Sequence, residues 1–300
     1  MSWRDNLIKI EPYVAGEQPN KTDFIKLNAN ENPYPPAPGV LRAIEQFRGG
    51  SLKKYPDANA KPLADALAKR FGLQRENVFV GNGSDDVLAL CFRAFFNSDM
   101  PVIYPDITYS FYPVWCEMLH IPFETIPVDD SFNINAADYK RPNGGVVIAN
   151  PNAPTSIGRG LDFMREILDA NPDSVVISDE AYVDFGGTSS VPLLKEYENL
   201  VVVQTFSKSR SMAGMRIGYA ISNPTLIKYL NDAKYSFNSY TMNQTSLVCG
   251  VEAVKDKAYF ESTLAKIVAT RERSKKRLAE LGFTFPDSRS NFIFASHESV

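Results

Sequence analysis

The sequence is poor in the residues that many catalytic and metal-binding sites require. Only two of its 300 residues are histidines, His120 and His297. A histidine-based metal centre or a Ser-His-Asp triad therefore has almost no raw material. The three cysteines, Cys91, Cys116 and Cys249, are far apart and flanked by apolar residues. That pattern indicates reduced core cysteines, without a disulfide framework or a cysteine metal motif.

Charge and hydropathy are also without extremes. The chain has 32 Lys and Arg residues against 35 Asp and Glu residues, a net charge of -3, so it lacks the basic excess of a nucleic-acid-binding domain. No apolar run approaches the roughly 18 residues that a bilayer span needs. Residues 1–6 lack the basic and then apolar regions of a signal peptide. We therefore expect a cytoplasmic protein with no metal site and no nucleic-acid or membrane partner.

What the sequence does contain is an alternation of short apolar runs with helical patterns. Residues 1–35 are rich in Asn, Pro and Glu and predict an extended N-terminal arm. From residue 36 onward, β-branched runs bounded by turn residues predict an α/β fold with a mostly parallel sheet between helices. The predicted strands are 78–80, 102–104, 146–149, 175–178 and 201–204, and the predicted helices include 84–96 and 109–119.

The pattern changes after about residue 223. Helical segments dominate up to residue 281, and residues 282–295 contain two short strand candidates. We predict a large domain over 36–240 and a smaller α+β domain over 241–300, with the boundary within 223–260. A small domain that holds one pair of strands would be incomplete, because an isolated pair is only marginally stable.

Four polar clusters follow predicted strands. In an open α/β sheet, ligands bind at the edge where the carboxyl ends of the strands meet. We therefore expect the clusters to form a binding site. They are Gly83-Ser84-Asp85, Asn152, Asp179 with Tyr182, and Ser207-Lys208.

Lys208 and Asp179 indicate the chemistry of this site. Lys208 could be a solvated loop lysine, or a lysine whose desolvated amine forms an imine with an aldehyde cofactor. Asp179 follows buried-type residues, where an unpaired carboxylate would be costly. It could cap the next turn or pair with a pyridinium nitrogen. Together the two residues favour pyridoxal 5′-phosphate.

Three further features suit a phosphorylated, flat cofactor. Residues 81–86 open a helix after a strand, and the exposed N–H groups there favour a phosphate, although Ser84 or Asp85 could simply cap the helix. Arg216 at the start of an apolar strand could bind a phosphate in a bidentate manner, or lie exposed at the strand end. Tyr109 could stack on a flat ring or pack in the core.

Apart from Tyr109, these residues fall within stretches that resemble the class I/II branch of the fold-type-I pyridoxal-phosphate-dependent aminotransferases, and within it the histidinol-phosphate aminotransferases. The matching stretches are 27–33, 54–57, 81–86, 150–155, 179–182 and 207–219, in the family order. The resemblance implies transamination between a small-molecule amino donor and a 2-oxo acid acceptor. The substrate implied is L-histidinol phosphate, with glutamate and 2-oxoglutarate as the other pair. Aromatic amino acids and the decarboxylation of threonine phosphate remain alternatives.

The resemblance also implies roles for the ring-binding residues. Lys208 would be the Schiff-base lysine and later the base that moves the proton between the substrate carbon and the cofactor. Asp179 would pair with the pyridine nitrogen. Asn152 and Tyr182 would bind the phenolate oxygen of the ring, which lowers the pKa of the imine. Tyr109 would stack on the ring.

The remaining roles concern the phosphate, the neighbouring subunit and the substrate. Backbone N–H groups of Ser84 and Asp85, with the side chains of Ser207 and Arg216, would hold the phosphate. Tyr55 would reach the cofactor phosphate of the neighbouring subunit, which implies a two-fold homodimer. Tyr13 and Asn30, from the N-terminal arm, would line the substrate mouth.

Two departures from the family pattern concern the cofactor loop and the C-terminal end. Ala153 and Ser156 stand where the family usually has Asn and Gly, while Asn152 is retained. The family continues beyond residue 300 with an arginine that binds the carboxylate or phosphate of the substrate, and no residue here matches it. On this basis a non-catalytic protein, with or without the cofactor, is the alternative from another class.

Overall fold

The apolar runs of the sequence pair into a sheet. In this computed structural model, which describes residues 2, 6–14, 16–17 and 25–299, the strands are β1 (Val78–Gly81), β2 (Val102–Pro105), β3 (Phe123–Ile126), β4 (Gly145–Ala149), β5 (Val176–Asp179), β6 (Leu200–Thr205) and β7 (Gly218–Ser222). Their order across the sheet is β1-β7-β6-β5-β4-β2-β3. Strand β7 is antiparallel to both of its neighbours, and the other pairs are parallel. The predicted mostly parallel sheet is confirmed.

Helices cover both faces of this sheet. They are α1 (Pro38–Glu45), α2 (Lys61–Phe71), α3 (Ser84–Phe95), α4 (Phe111–Leu119), α5 (Leu161–Ala170), α6 (Pro224–Phe237), α7 (Gln244–Lys255) and α8 (Lys257–Glu280). Helices α2, α5 and α7 contribute to the core on one face, and α3, α4 and α6 to the core on the other. Within β6, Val202 faces the first core, whereas Val201 and Val203 face the second, because successive side chains of a strand point to opposite sides. Burial on both faces explains the continuous apolar runs.

Several predicted boundaries need correction. The helix predicted over 109–119 begins at Phe111, so Tyr109 lies in the preceding loop. The strand predicted over 175–178 ends at Asp179, which is therefore a strand residue. Strand β3 had no predicted counterpart because Phe123, Glu124 and Thr125 are exposed at the edge of the sheet and form no apolar run.

The two strand candidates within 282–295 were wrong. This region forms an isolated antiparallel bridge between Thr284 and Ser296 in place of a strand pair. Its carbonyl groups bind side chains: Ser288 Oγ donates to Phe292 O at 2.5 Å, and Arg271 Nη1 donates to Ser290 O at 2.8 Å. A backbone satisfied in this way has no need of a partner strand.

Helix α7 follows the predicted domain boundary at residue 240. Helix α7 packs against α1 and α2 and supplies Leu247, Cys249 and Ala253 to a core of the sheet. The predicted division at residue 240 stays a prediction.

Among the residues described, every helix is too short or too polar to cross a bilayer.

Candidate active site

The carboxyl ends of β4, β5 and β6 open into a cavity of about 740 Å³. Parallel strands place their carboxyl ends at one edge, so residues far apart in sequence meet there. Most of the predicted site residues line this cavity; Asn152 and Tyr55 do not. Those that do are Tyr13, Asn30, Ser84, Asp85, Tyr109, Asp179, Tyr182, Ser207, Lys208 and Arg216.

Lys208 brings an amine into the cavity from the loop after β6. Its Nζ donates a hydrogen bond to Ala29 O at 2.8 Å and lies 5.6 Å from the centre of the Tyr182 ring. Burial lowers the pKa of Lys208, while the negative charge of Asp85 opposes that shift. A desolvated lysine spends more time as the neutral amine, which is the nucleophilic form.

Asp179 presents a buried carboxylate at the end of β5. It is 5% exposed, and its Oδ2 accepts a hydrogen bond from the Tyr112 hydroxyl at 2.7 Å. Its Oδ1 accepts a longer bond, 3.3 Å, from the Ala181 N–H. Burial raises the pKa of Asp179 to about 6, because these two bonds offset only part of the desolvation. A cation placed in the cavity would favour the ionised form.

A polar corner of the cavity lies where α3 and β7 meet. The first intrahelical bond of α3 runs from Val87 N–H to Gly83 O, so the amides of Ser84 and Asp85 precede the helical ladder. Arg216 lies beside them, with Nη1 3.5 Å from Ser207 Oγ. These groups form an arrangement that favours anions.

Two glycines permit this close approach. Gly83 has φ +92°, and a Cβ there would lie 2.5 Å from Arg216 Nη2. A Cβ at Gly218 would overlap the backbone N of Ser84. Side chains at either position would push the guanidinium or β7 away from the N-terminus of α3.

Asp85 differs from its predicted part in the site. The resemblance implied a contact through its backbone N–H alone, but its carboxylate also contacts two site residues. Its Oδ2 lies 3.1 Å from Arg216 Nη2, and its Oδ1 accepts a hydrogen bond from the Tyr109 hydroxyl at 3.0 Å. The corner therefore contains an anion of its own.

Asn152 is not among the cavity-lining residues, and both its Nδ2 and its Oδ1 are bonded to protein groups. Its Nδ2 donates to Ile107 O at 2.8 Å and to Thr155 Oγ1 at 3.0 Å, and its Oδ1 accepts from Thr108 Oγ1 at 2.7 Å. These bonds hold the 150–155 loop against the loop that precedes Tyr109. A contact with a ring oxygen would require Nδ2 to exchange one of its present acceptors.

Tyr182 and Asn30 form one side of the mouth. The Tyr182 hydroxyl accepts a hydrogen bond from Asn30 Nδ2 at 3.1 Å, and Asn291 Nδ2 donates to Asn30 O at 2.9 Å. Burial raises the pKa of Tyr182 to about 12. Phe292 packs edge-on against the Tyr182 ring at 5.0 Å. Tyr182 is therefore a neutral hydroxyl in a fixed position.

Tyr13, from the N-terminal arm, and Tyr55, from the 54–57 stretch, differ in their surroundings. Tyr13 stacks on Phe111 at 4.7 Å, at the edge of the cavity. Tyr55 is 79% exposed and stacks on Tyr240 at 4.6 Å, away from the cavity lining. Its contact with a neighbouring subunit stays a prediction.

Sequence reasoning missed several polar and aromatic residues of the site. Tyr112 lies in the apolar helix α4, so it reads as a core aromatic, and nothing local indicates that its hydroxyl meets Asp179. Thr108, which binds Asn152, precedes Tyr109 and could have been noticed as a polar residue in a loop at the carboxyl edge. Phe292, Ile293 and Phe294 line the cavity, although the sequence indicated a strand there.

Comparisons with known proteins agree with this geometry. The family model described as aminotransferase class I and II matches residues 22–299. A histidinol-phosphate aminotransferase of Lactococcus lactis subsp. cremoris is 50% identical over 300 residues, which is 100% of this chain and 84% of that relative.

Solved structures support the same conclusion. The histidinol-phosphate aminotransferase from Sinorhizobium meliloti, solved in complex with pyridoxal-5′-phosphate, has a TM-score of 0.78 and 26% identity, covering 89% of this chain and 74% of that one. The enzyme of the same name from Clostridium acetobutylicum has a TM-score of 0.82 and 24% identity, covering 91% and 82%, and it supports the fold alone. With a family match over residues 22–299 and a relative half identical along the whole chain, this protein belongs to the class I and II aminotransferases.

Proposed function

We propose that this enzyme transfers the amino group of L-histidinol phosphate to 2-oxoglutarate, giving imidazole acetol phosphate and L-glutamate, with pyridoxal 5′-phosphate as cofactor. This reaction would belong to histidine biosynthesis. The observation that carries the substrate is the 50% identity, over all 300 residues, to a relative named for histidinol phosphate. The cavity supports the cofactor independently.

The polar groups of the cavity fit the three reactive parts of pyridoxal phosphate. An aldehyde needs an uncharged amine, and the pKa of Lys208 is lowered by burial. A pyridine nitrogen needs an anion, and Asp179 is a buried carboxylate that lines the same cavity. A phosphate needs amides and a guanidinium, and Gly83 leaves room for Arg216 against the start of α3.

We assign the holding roles on this basis. Lys208 would hold the aldehyde carbon as a Schiff base, Asp179 the ring nitrogen, and Tyr109 the ring face. Tyr182 and Asn152 would bind the phenolate oxygen. The phosphate would be held by the N–H groups of Ser84 and Asp85 and by the side chains of Ser207 and Arg216.

The bound cofactor supplies an electron sink that stabilises negative charge on the substrate carbon. Lys208 Nζ, once free, would take the proton from that carbon and pass it to the cofactor, and its desolvation favours the neutral form that this step needs. Asp179, a buried carboxylate that lines the cavity, would stabilise a positive charge at the ring nitrogen. Tyr13 and Asn30, which line the cavity, would form part of the substrate mouth.

Two broader proposals concern assembly and location. We infer a homodimer in which Tyr55 completes the phosphate site of the partner subunit. Tyr55, Tyr240 and Phe237 are exposed by 79%, 46% and 66%, which supports an aromatic contact surface. The free, buried cysteines Cys91 and Cys116 support a reducing compartment, the cytoplasm. Sedimentation of the loaded enzyme as a monomer would contradict the dimer.

A half-reaction assay tests the proposed function. The loaded enzyme is mixed with L-histidinol phosphate, phenylalanine, tyrosine or threonine phosphate, and loss of the visible cofactor absorbance is followed. We expect the fastest loss with L-histidinol phosphate and recovery with 2-oxoglutarate. The Lys208→Ala variant should show no conversion. Faster conversion of another donor would contradict the substrate, and a protein that takes up no cofactor would contradict the proposal as a whole.

A further inference from the structure

Tyr112 is wholly buried and bonded to the carboxylate that the proposed function uses. Its hydroxyl donates to Asp179 Oδ2 at 2.7 Å across 67 positions of sequence. Tyr112 lies in the first turn of α4, three residues after Tyr109. Its ring is fixed by aromatic contacts on several sides. The partners are Phe92, Tyr104, Tyr109 and Trp115, with centroids 5.6 to 6.3 Å away.

We propose that Tyr112 is a positioning residue that keeps Asp179 ionised and directs its free oxygen into the cavity. The inference rests on the proposed function, in which Asp179 pairs with the ring nitrogen. The Tyr112 hydroxyl is bonded to the carboxylate of Asp179 and acts on the reaction through that group.

The two oxygens of Asp179 have different environments. Oδ2 is occupied by the short bond from Tyr112, whereas among the described residues Oδ1 has only the 3.3 Å contact from Ala181 N–H. Asp179 lines the cavity. A carboxylate with one oxygen held by a rigid phenol cannot rotate without losing that bond. The second oxygen therefore keeps lone pairs for a ligand in the cavity.

A hydrogen-bond donor to Asp179 matters because burial disfavours the ionised form of its carboxyl group. Burial raises the pKa of Asp179 to about 6, and the Tyr112 bond acts against that rise. A hydrogen bond to the charged form favours ionisation. Without it, much of Asp179 would carry a proton near neutral pH, and a protonated carboxyl cannot hold a positive charge at the ring nitrogen.

The groups that face Asp179 come from α3, from α4 and the loop before it, and from the turn after β5. Within the part of the chain that the structure describes, none of those that influence it is a cation, so Tyr112 is the side chain that favours its charge. The titratable groups are Asp85 and Cys91 from α3, Tyr109 from the loop before α4, Tyr112 from α4, and Tyr182.

The chain offers a matched control in Tyr104. This tyrosine is also buried, packs against Tyr112 at 5.6 Å, and its hydroxyl has no oxygen or nitrogen partner within the described residues. Tyr104→Phe and Tyr112→Phe remove the same atom from the same aromatic cluster. They differ in whether Asp179 loses a donor.

The deciding measurement is the titration of Asp179 in the cofactor-free protein. Carboxyl-¹³C aspartate reports the ionisation of Asp179, with Asp179→Asn to assign its signal. We expect Tyr112→Phe to raise the Asp179 pKa by about one unit, since a hydrogen bond to a charged group is worth about 1.5 kcal/mol. Tyr104→Phe should leave it within a few tenths of a unit. Equal titrations in both variants would overturn the inference.

A second measurement needs no substitution at Tyr112, so it can be made even if Tyr112→Phe does not fold. In wild-type protein labelled at the tyrosine ζ-carbons, the Tyr112 signal should move with the Asp179 midpoint, and this step should vanish in Asp179→Asn. A Tyr112 signal whose chemical shift does not change as Asp179 titrates would refute the inference. Both measurements are made without cofactor. Failure of the wild type to bind pyridoxal phosphate would count against the proposed function. The two titrations could still be interpreted, because they do not depend on the cofactor.

Discussion

Asp179 and Glu180 are adjacent carboxylates at the end of β5, yet their surroundings are opposite in kind. Asp179 lines the cavity and receives one short hydrogen bond, from Tyr112. Glu180 is 1% exposed and receives bonds from Ser190 N–H at 2.6 Å and Gln204 Nε2 at 2.8 Å, and another from Ser178 at 3.1 Å.

The difference shows how a buried acid can serve structure or chemistry. Glu180 has both oxygens bonded to protein groups, so it joins β5, β6 and residues 189–190, and it does not line the cavity. Asp179 is left with an under-occupied oxygen beside an open cavity. Burial raises the pKa of both, Asp179 to about 6 and Glu180 to about 7. Free hydrogen-bonding capacity, and not the pKa, separates the two residues.

The largest expected effect is on turnover. Asp179→Asn should lower kcat about 10²- to 10⁴-fold, since loss of one partner of a buried charge pair costs about 3–5 kcal/mol. Glu180→Gln, measured on whatever fraction folds, should change kcat by less than about tenfold. Single-turnover kinetics with L-histidinol phosphate measure both. Comparable losses in the two variants would remove the distinction drawn above.

The next effect concerns pH and the stability of the cofactor-free protein. Asp179 has a folded pKa of about 6 against a usual value of 3.8, so the folded state binds more protons and the free energy of unfolding falls as pH rises between these values. The fall should be about 2–3 kcal/mol. Asp179→Asn should remove this component in urea titrations at several pH values. A wild type and variant with parallel pH profiles would contradict it.

A smaller effect is expected from Glu180→Gln on stability. The amide that replaces one oxygen must face a donor, either Ser190 N–H or Gln204 Nε2. The free energy of unfolding at pH 8 should fall by about 1–3 kcal/mol because a buried donor is left unsatisfied. Urea denaturation measures this, with Glu166→Gln on the outer face of α5 as the control. Equal stabilities in the two variants would count against a structural role for Glu180.

The smallest effect lies at the outer end of the same network. The Tyr219 hydroxyl donates to Gln204 Oε1 at 2.6 Å and thereby sets which end of the amide meets Glu180. Tyr219→Phe should cost about 1 kcal/mol of stability and leave kcat unchanged. Thermal unfolding and the half-reaction assay check the two parts. A marked loss of kcat would connect the Glu180 network to the reaction.

The sheet and the main site groups were predictable because their signals are local. Lys208 and Asp179 each follow an apolar run, and parallel strands bring such residues together. The contact of Tyr112 with Asp179 could not be predicted, because the two residues are far apart in sequence. The periodicity of apolar residues gives no information on such a contact. The strand pair expected within 282–295 failed for a similar reason, since the Arg271 side chain binds a carbonyl there.

The contact from Asn291 to Asn30 joins residues 261 positions apart beside Tyr182. Contacts of such separation require a large loop to close, and closure of this kind slows folding. The sheet can therefore form before this side of the mouth exists. Recovery of full substrate affinity after dilution from denaturant should lag behind recovery of helix and strand signal, so that ligand affinity reports the last stage of folding.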